Sequence, residues 1–492
     1  MMTKGNRTTI GGDVKFVLVN FDGLRPDLVR PDITPNLCRL AQAGVRFLNH
    51  RTTFPSETMV AFTSLITGAP PSVHGIVSNE YIDNRVYQAR VFNTASVEDI
   101  EAGDVAYAGG LITAETIGQT LHRADRRFAI ISSNSPGCTR LINRKVNTPG
   151  QFSLSVHHPK YSYPRSHVEQ VVRRFGLAPH PTLPDNGATE YATSVFLDYV
   201  WPELSPDVTI IAYNEPDMSF HYLGLGSERA LEGIRWTDHQ FGRILDWWER
   251  HPSIQLLVTS DHGHVTQTQN TSVRTMLNEA GLSIGEMSTN EGVIGLIPGH
   301  VGKVTIPIGR RDLLERVVAA LSEQAWCGML ICDGEHSIPG TIAQIDVLVD
   351  HPRSPNLYYT LRSSDAVGRF GLPGTSWSDD DMLFDGAGYH GGLHAQELNC
   401  VAIFAGSLFR AGVITPVHSG IVDIAPTILH ALNIPAPRSM IGRVLHEAMI
   451  GDWTSPPSIR LNDVVGVRGP YCQTLQRFQV AGVTYLDHGF RQ

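Results

Sequence analysis

The chain has 492 residues, of which 42% are hydrophobic, with a formal net charge of −9 and an isoelectric point near 6.1. This length supports a large core in one major domain with an insertion, and the acidic balance excludes the basic field that binds duplex nucleic acid. The N-terminal segment lacks the apolar run of a signal peptide, and nothing later approaches the roughly 18 apolar residues of a membrane span. We therefore expect a cytoplasmic chain with no membrane partner.

Near-continuous apolar runs rich in β-branched residues recur along the chain, each with the length of a buried strand. The first covers residues 14–20 and ends before Asp22, and others cover residues 128–133, 208–213, 254–259 and 400–404. Helical patterns lie between them, the clearest running from Thr34, a candidate N-cap, through Pro35 to Gly44 after the last turn. This alternation predicts an α/β fold in which helices cover both faces of a mainly parallel sheet.

A long interval between His262 and His390 carries a strand, helix and strand pattern of its own, over residues 302–307, 311–321 and 327–332. We interpret it as an inserted small α+β cap over residues 266–384. The catalytic α/β core is then discontinuous, covering 13–265 and 385–450. Residues 451–492 are predicted to be an extension of short strands that forms a hairpin or an interface.

Acidic and imidazole side chains follow the ends of the predicted strands. Taken singly, each has an ordinary explanation such as an Asp-Gly turn. Ligands of open α/β sheets bind beyond the carboxyl ends of the strands, however, so distant residues can meet at one edge. The set comprises Asp22, Asp217, His221, Asp261, His262 and His390. Mixed carboxylate and imidazole ligands favour Zn²⁺, with Mn²⁺ or Fe as substitutes, and two such ions about 4 Å apart suit phosphoryl transfer.

Thr58 begins an apolar helical segment after a Pro-Ser turn. A hydroxyl in this position is either a helix cap or a nucleophile activated by a metal ion near a helix N-terminus. Because Ser56 fits the cap better, Thr58 is the candidate nucleophile.

Eight runs carry a resemblance to a known superfamily: VNFDGLRPDLV, TPNLCRLAQAGVRF, FPSET, TGAPPSVHGIVSNEY, YNEPDMSFH, TSDHGH, YHGGLH and DIAPTILHALNIPAPRSMIGRVL. They resemble the alkaline phosphatase superfamily and, within it, the type I phosphodiesterase/nucleotide pyrophosphatase branch and its relative phosphonoacetate hydrolase. The resemblance covers residues 14 to 446 and is weak over the predicted cap and the C-terminal segment. It implies an alkaline-phosphatase-like fold.

The resemblance also implies roles for matching residues. One zinc ion would be held by Asp217, His221 and His390, and the second by Asp22, Asp261 and His262, with Thr58 touching it. Asn79 matches an asparagine that holds a non-bridging phosphoryl oxygen. The His-Gly-Gly context favours His390 over His394, so His394 and His264 are expected to support the ligands or to lie at the surface.

Two departures from the family pattern bear on the substrate. Phe220 stands where many nucleotide pyrophosphatases have glycine, and Met59 stands where they have an aromatic residue, which puts a nucleoside-stacking platform in doubt. Phosphonoacetate hydrolases bind the substrate carboxylate with lysines after the strand that matches residues 128–133, and no lysine follows at once here. Arg140, Arg144 and Lys145 are candidate substitutes for those lysines. The alternative is that these three residues are solvated surface charges.

We therefore predict a two-zinc hydrolase of phosphate diesters that acts through a threonine-bound covalent intermediate on a small-molecule phosphate or phosphonate ester. A carbon–phosphorus hydrolase similar to phosphonoacetate hydrolase, a phosphomonoesterase and a mutase-type isomerase are alternatives. From another class, a non-catalytic metal-bound binding protein is disfavoured, because every ligand position and the nucleophile are filled. Asp423 is interpreted as an N-cap and not as a ligand. The sequence leaves open whether the chain forms a homo-oligomer.

Overall fold

A computed structural model describes residues 14–144, 147–289, 292–335, 337–379, 383–451 and 457–492. The predictions for Lys145 and for most of the N-terminal segment lie outside these residues. Among the described helices, none combines the length and the apolar character that crossing a bilayer requires. The cytoplasmic location stays a prediction.

The core is an eight-stranded sheet, the central sheet. Its strands, from one edge to the other, are Val413–Thr415, Val45–Phe47, Ala402–Ala405, Ile254–Thr259, Lys15–Asp22, Val208–Pro216, Phe128–Ser132 and Gln151–Ser155. The last five of these run parallel to one another. The prediction of a mainly parallel sheet is confirmed.

Strand Ala402–Ala405 differs in direction, because it pairs antiparallel with Ile254–Thr259. It carries the same apolar run as its parallel neighbours, since all of its residues are buried. A continuous apolar run indicates that a strand is buried on both faces of the sheet, but it does not indicate the direction of the strand.

Both faces of the central sheet are covered. On Lys15–Asp22, Val17, Val19 and Phe21 pack on one side and Phe16 and Leu18 on the other, as the alternation of a strand requires. Helices on the first side include Pro35–Ala43, Glu228–Glu249 and Asn186–Val195. The π-helix Phe196–Leu204 continues Asn186–Val195 directly. Helices on the second side include Thr58–Thr67, Val97–Ala106, Ile117–Arg123, Pro136–Ile142 and Ile424–Ala431. Further helices are Pro71–His74, Arg165–Phe175, Asp217–Leu223 and Ala395–Leu398, with 3-10 turns at Pro26–Leu28, Pro159–Tyr161, Gln344–Val347, Ile421–Asp423 and His446–Ala448.

A second sheet of six strands, the cap sheet, lies within the interval between His262 and His390. Its strands, in spatial order, are Ile284–Gly285, Ile294–Ile297, Val301–Thr305, Leu357–Leu361, Cys327–Cys332 and Ile342–Ala343. Helices Val273–Glu279 and Arg311–Ser322 pack against it around their own apolar cluster. The strand, helix and strand expected from the sequence are all present here, although the domain limits themselves stay a prediction.

Smaller sheets join these parts. A four-stranded sheet contains Ser363–Val367, Pro373–Asp379, Val265–Thr271 and Gly388–Tyr389; a three-stranded one contains Asn399–Cys400, His50–Arg51 and Ser419–Gly420; and Glu80–Tyr81 pairs with Phe92–Asn93. At the C-terminus, Ile459–Arg468, Tyr471–Val480 and Val483–Arg491 form an antiparallel meander. It contacts both the core, through Tyr485 to Asp423, and the cap sheet, through Tyr471 to Gly328.

Candidate active site

Three neighbouring strands of the central sheet deliver the acidic side chains to one edge. Asp22 is the last residue of Lys15–Asp22, Asp217 follows Val208–Pro216 directly, and Asp261 comes two residues after Ile254–Thr259. Because these parallel strands are adjacent, their carboxyl ends bring the three carboxylates together. The helix that begins at Asp217 places His221 one turn further on.

Thr58 is the first residue of helix Thr58–Thr67, and its hydroxyl oxygen lies 3.1 Å from Nε2 of His262. The prediction that Ser56 caps this helix is wrong, because the N-cap residue is Glu57 and no side chain caps it. Ser56 lies one residue too early to cap. Its hydroxyl instead donates to the Gly392 carbonyl at 2.9 Å and accepts the Gly391 N–H at 3.0 Å, and so fixes the loop that carries His390.

Asn79 is held beside Thr58 by hydrogen bonds on both its backbone and its side chain. Its side-chain oxygen accepts the Met59 N–H at 3.1 Å. Its backbone N–H donates to the carboxylate of Glu57, which also accepts the Ser78 hydroxyl and is paired with Lys303. With the side-chain oxygen used in this way, the amide nitrogen is the end of Asn79 that can donate to a phosphoryl oxygen.

Three histidine side chains surround one oxygen of Asp217. The distances from Asp217 Oδ1 to imidazole Nε2 atoms are 3.0 Å for His264, 3.2 Å for His221 and 3.4 Å for His390. His264 is fully buried, so a surface position is excluded. Its inclusion in this cluster was missed from the sequence, where only its spacing after Asp261-His262 could have drawn attention to it.

His262 is surrounded by the remaining groups. Its Nε2 lies 3.4 Å from Asp261 Oδ2 and 3.5 Å from Asp22 Oδ1. Two sets of residues each bring their ligand atoms within 4.8 Å of one another; the first is Asp217, His221, His264 and His390, and the second is Asp22, Asp217 and His262. Asp217 therefore belongs to both sets. Asp261, expected in the second set, faces His262 and accepts the Gly23 N–H through its other oxygen.

His394 lies outside both sets. Its Nδ1 accepts the backbone N–H of Gln396 at the start of helix Ala395–Leu398, and its Nε2 lies 3.3 Å from Asp365. The structure therefore brings His390, and not His394, to the other candidate ligands.

The carboxylates gathered at the site act on the pKa of one another. Burial raises the pKa of Asp22 well above its usual range, and the charges of Asp261 and Asp217 raise it further. Burial also lowers the pKa of His264 to about 4 and that of His390 well below its usual value, which leaves both imidazoles neutral. The candidate ligands contribute four buried acceptor atoms that lack a hydrogen-bond partner among the described residues: Asp22 Oδ1, Asp217 Oδ1, Asp261 Oδ2 and His264 Nε2. Acceptors gathered in this way fit divalent cations.

Asn134 is a further residue at the site that the sequence did not point to. It follows strand Phe128–Ser132 and donates from Nδ2 to Asp22 Oδ2 at 2.7 Å. Arg140 and Arg144, candidate substitutes for substrate-binding lysines, are instead paired with Glu101 and Asp104 of a neighbouring helix.

A cavity of about 350 Å³ adjoins the site. Met59 and Asn79 line it next to Thr58, and His300 and Lys303 line it from the cap. Phe220 is fully buried and packs edge-on against His264, with ring centroids 5.1 Å apart. Of the two departures from the family pattern, Met59 thus borders the cavity, whereas Phe220 supports a histidine.

An α/β sheet with carboxylates and imidazoles at its strand ends, beside a threonine that begins a helix, is the arrangement of the alkaline phosphatase class. The sequence profile of the type I phosphodiesterase/nucleotide pyrophosphatase family matches residues 16–336, which is more than half of the chain. The chain belongs to this family, as predicted. A special closeness to phosphonoacetate hydrolase stays a prediction.

Individual relatives share modest identity with the chain. Ectonucleotide pyrophosphatase/phosphodiesterase family member 7 of Rattus norvegicus is 25% identical over 279 residues, which cover 52% of each chain. Bis(5'-adenosyl)-triphosphatase enpp4 of Xenopus laevis is 23% identical over 53% of this chain and 49% of its own length. The chain therefore spans about half the length of these curated relatives.

Solved structures are similar over a larger share of the chain. Human ectonucleotide pyrophosphatase/phosphodiesterase 5 matches with a TM-score of 0.60 and 18% identity, covering 86% of this chain and 96% of its own. The murine protein, as an inactive variant in complex with AMP, matches with a TM-score of 0.59. At this identity the likeness concerns the fold, and it confirms the predicted alkaline-phosphatase-like architecture.

Proposed function

We propose that this chain is a two-metal hydrolase of phosphate diesters, of the phosphodiesterase and nucleotide pyrophosphatase type, with Thr58 as its nucleophile. The observation that carries the proposal is the position of the Thr58 hydroxyl, which begins a helix and lies 3.1 Å from Nε2 of His262, beside the candidate metal ligands. An adjacent cation can activate such a hydroxyl, and the helix N-terminus favours an approaching phosphate.

Two Zn²⁺ ions fit the donor atoms best, because a mixture of carboxylate and imidazole groups suits zinc, with Mn²⁺ or Fe as substitutes. Asp217, His221 and His390 would hold one ion. Asp22, Asp261 and His262, together with Thr58, would hold the other. When bound, such a pair stabilises the negative charge that develops on the entering and leaving oxygens.

The residues of the chain then have separate tasks. The Thr58 hydroxyl gives up its proton to solvent as its oxygen attacks phosphorus. The bond from phosphorus to the leaving oxygen breaks, the leaving oxygen takes up a proton from solvent, and the phosphoryl or nucleotidyl group stays on Thr58. Asn79 donates its amide N–H to a non-bridging oxygen, in the orientation that Met59 and Glu57 impose. Water hydrolyses the threonine ester and restores the hydroxyl.

The charge around the cavity favours diesters over monoesters. A monoester carries a further negative charge, which a dedicated cationic side chain would have to offset. Of the described residues, the lysine that lines the cavity is Lys303, and its charge is balanced by Glu57 at 3.1 Å. Arg140 and Arg144 are likewise paired with acids.

A substrate panel with a matched pair of variants tests this proposal. The full chain would be assayed after zinc loading with bis(4-nitrophenyl) phosphate, 4-nitrophenyl phosphate and phosphonoacetate, and its metal content measured by mass spectrometry. We expect two ions per chain and the fastest turnover with the diester. Thr58→Ala should lower kcat by about 10⁴-fold or more, whereas Thr67→Ala, at the far end of the same helix, should retain activity.

Each part of the proposal can fail separately. Faster turnover of the monoester would contradict the diester preference, and release of phosphate from phosphonoacetate would favour the carbon–phosphorus hydrolase. Full activity in Thr58→Ala would contradict the nucleophile. Two bound ions without turnover of any of these compounds would favour a metal-bound binding protein.

A further inference from the structure

We propose that His264 is a fourth protein ligand of the metal ion at Asp217, so that this ion is held by three imidazoles and one carboxylate. The inference rests on the proposed two-metal function and extends it, since the ligand set implied by the family resemblance contains only Asp217, His221 and His390 at this ion.

The first observation is how firmly the His264 ring is placed. A Cβ atom on Gly23 would lie 2.3 Å from the ring carbon Cε1, and one on Gly388 would lie 3.2 Å from Cδ2. The ring of Phe220 packs edge-on against it, with centroids 5.1 Å apart. Two glycines thus provide the room for the imidazole, and Phe220 covers it, so the ring is held in one orientation.

The second observation is which nitrogen faces the site. His264 Nδ1 lies 3.1 Å from the Gly23 carbonyl oxygen, and because a carbonyl can only accept, Nδ1 carries the hydrogen. The lone pair is then on Nε2, which lies 3.0 Å from Asp217 Oδ1. Both of these buried atoms are acceptors without a hydrogen-bond partner among the described residues. A cation that binds both of them removes the repulsion between the two.

The third observation is that two expected ligands are arranged in the same way. His390 Nδ1 lies 2.8 Å from the Ser56 carbonyl oxygen and His262 Nδ1 lies 3.1 Å from that of Gly263. Metal-binding histidines commonly donate their second ring N–H to such a carbonyl. His394, a buried histidine outside the site, differs, because its Nδ1 accepts a backbone N–H.

The fourth observation is the spacing of the donor atoms. Zinc bonds of about 2.0–2.1 Å in a tetrahedron place ligand atoms roughly 3.3 Å apart. The three Nε2 atoms lie 3.0, 3.2 and 3.4 Å from Asp217 Oδ1. The ring centroids of His221, His264 and His390 are 5.0 to 5.4 Å apart in each pair, so the imidazoles surround a common point evenly.

A four-ligand set has a chemical consequence. Catalytic zinc sites commonly have three protein ligands and one open position, and they can expand to five ligands in the transition state. With His264 bound, a substrate oxygen at this ion would be the fifth ligand. The nitrogen-rich Asp217 site would also prefer zinc more strongly than the oxygen-rich site of Asp22 and Asp261, which suits harder ions such as Mn²⁺.

Cadmium NMR tests the donor count directly. The full chain, labelled with ¹⁵N-histidine, would be loaded with ¹¹³Cd²⁺, and the couplings of each cadmium signal to imidazole nitrogens counted. We expect one ion coupled to three nitrogens and the other to one. In His264→Ala, the first count should fall to two, and added ¹⁵N-labelled imidazole should restore the third coupling. His394→Asn is the matched control and should leave both counts unchanged.

Zinc affinity gives a second measurement. His264→Ala should weaken zinc binding at the tighter site by at least about 100-fold, the upper end of what the loss of a supporting residue costs. Two couplings at that ion in the wild type, unchanged in His264→Ala, would overturn the inference while leaving the two-metal proposal intact. Failure of the wild type to bind cadmium or zinc would instead contradict the proposed function. The wild-type count decides the question even where the variant does not fold.

Discussion

The ammonium group of Lys303, on a strand of the cap sheet, lies 3.1 Å from a carboxylate oxygen of Glu57, the residue before the candidate nucleophile. Both side chains are nearly buried, each with 9% of its surface exposed. The other oxygen of Glu57 accepts the backbone N–H of Asn79. An ion pair from the cap therefore holds the residue that we propose to bind the phosphoryl oxygen.

Removing the cation should destabilise the protein. Lys303→Met leaves Glu57 buried without its partner, and loss of one member of such a pair costs about 3 kcal/mol or more. We expect the free energy of unfolding in urea to fall by that amount. The double variant Glu57→Gln with Lys303→Met should regain at least half of it, because it carries no buried charge. Equal stability of Lys303→Met and the wild type would show that the ion pair between Lys303 and Glu57 does not stabilise the fold.

Asn79 should matter for the transition state and little for folding. Asn79→Asp keeps an oxygen that can accept the Met59 N–H but removes the donor for the phosphoryl oxygen. We expect kcat/KM for a diester to fall about 100-fold, the cost of losing one such donor, with the melting temperature nearly unchanged. If Asn79→Asp retains wild-type kcat/KM, the amide does not contact the substrate.

Metal removal should lower stability, because the carboxylates of Asp22, Asp217 and Asp261 then repel one another in a buried site. At a zinc concentration about 1000 times Kd, binding adds about 4 kcal/mol per site, so EDTA should lower the melting temperature markedly. Asp261→Asn should bind less zinc yet melt higher than the wild type when both are metal-free. A metal-free variant that melts lower than the metal-free wild type would contradict this electrostatic account.

Asp423 should make stability fall with rising pH. Burial raises its pKa to about 6 in the folded state, despite the nearby Arg443, from an ordinary value of 3.8. Below about pH 4 the group is protonated in both states. Between about pH 4 and 6 the folded state holds the proton more tightly, so each increase in pH favours unfolding, by about 3 kcal/mol in total. Asp423→Asn should flatten this part of the curve of unfolding free energy against pH. If Asp423→Asn leaves the slope of this curve unchanged, another titratable group causes the pH dependence.

The strands and the candidate ligands could be predicted because both depend on local sequence. Apolar runs such as residues 14–20 report burial, and the residues that follow them mark the strand ends where ligands meet. Helix Pro35–Ala43 also begins and ends as predicted, although Thr34 donates its hydroxyl to Leu28 and does not cap the helix with it.

Contacts between distant segments could not be predicted in this way. Asn134 contacts Asp22, and Lys303 contacts Glu57. Both contacts form only because the whole fold positions the segments that carry Asn134 and Lys303. His264 is similar: the residues that orient it, Gly23 and Phe220, are distant in sequence. The cap predicted for Ser56 does not form, because the partners of its hydroxyl lie in the loop of Gly391 and Gly392, more than 330 positions away.

Trapping the covalent intermediate tests whether the Thr58 oxygen attacks phosphorus. The zinc-loaded full chain would be mixed with a phosphate diester, quenched in acid within the first turnover, digested and analysed by mass spectrometry. We predict that the peptide containing Thr58 carries the mass of the transferred phosphoryl ester, and that the adduct is absent from Thr58→Ala. Turnover of the diester with no adduct on Thr58, and with undiminished activity in Thr58→Ala, would show that Thr58 is not the nucleophile.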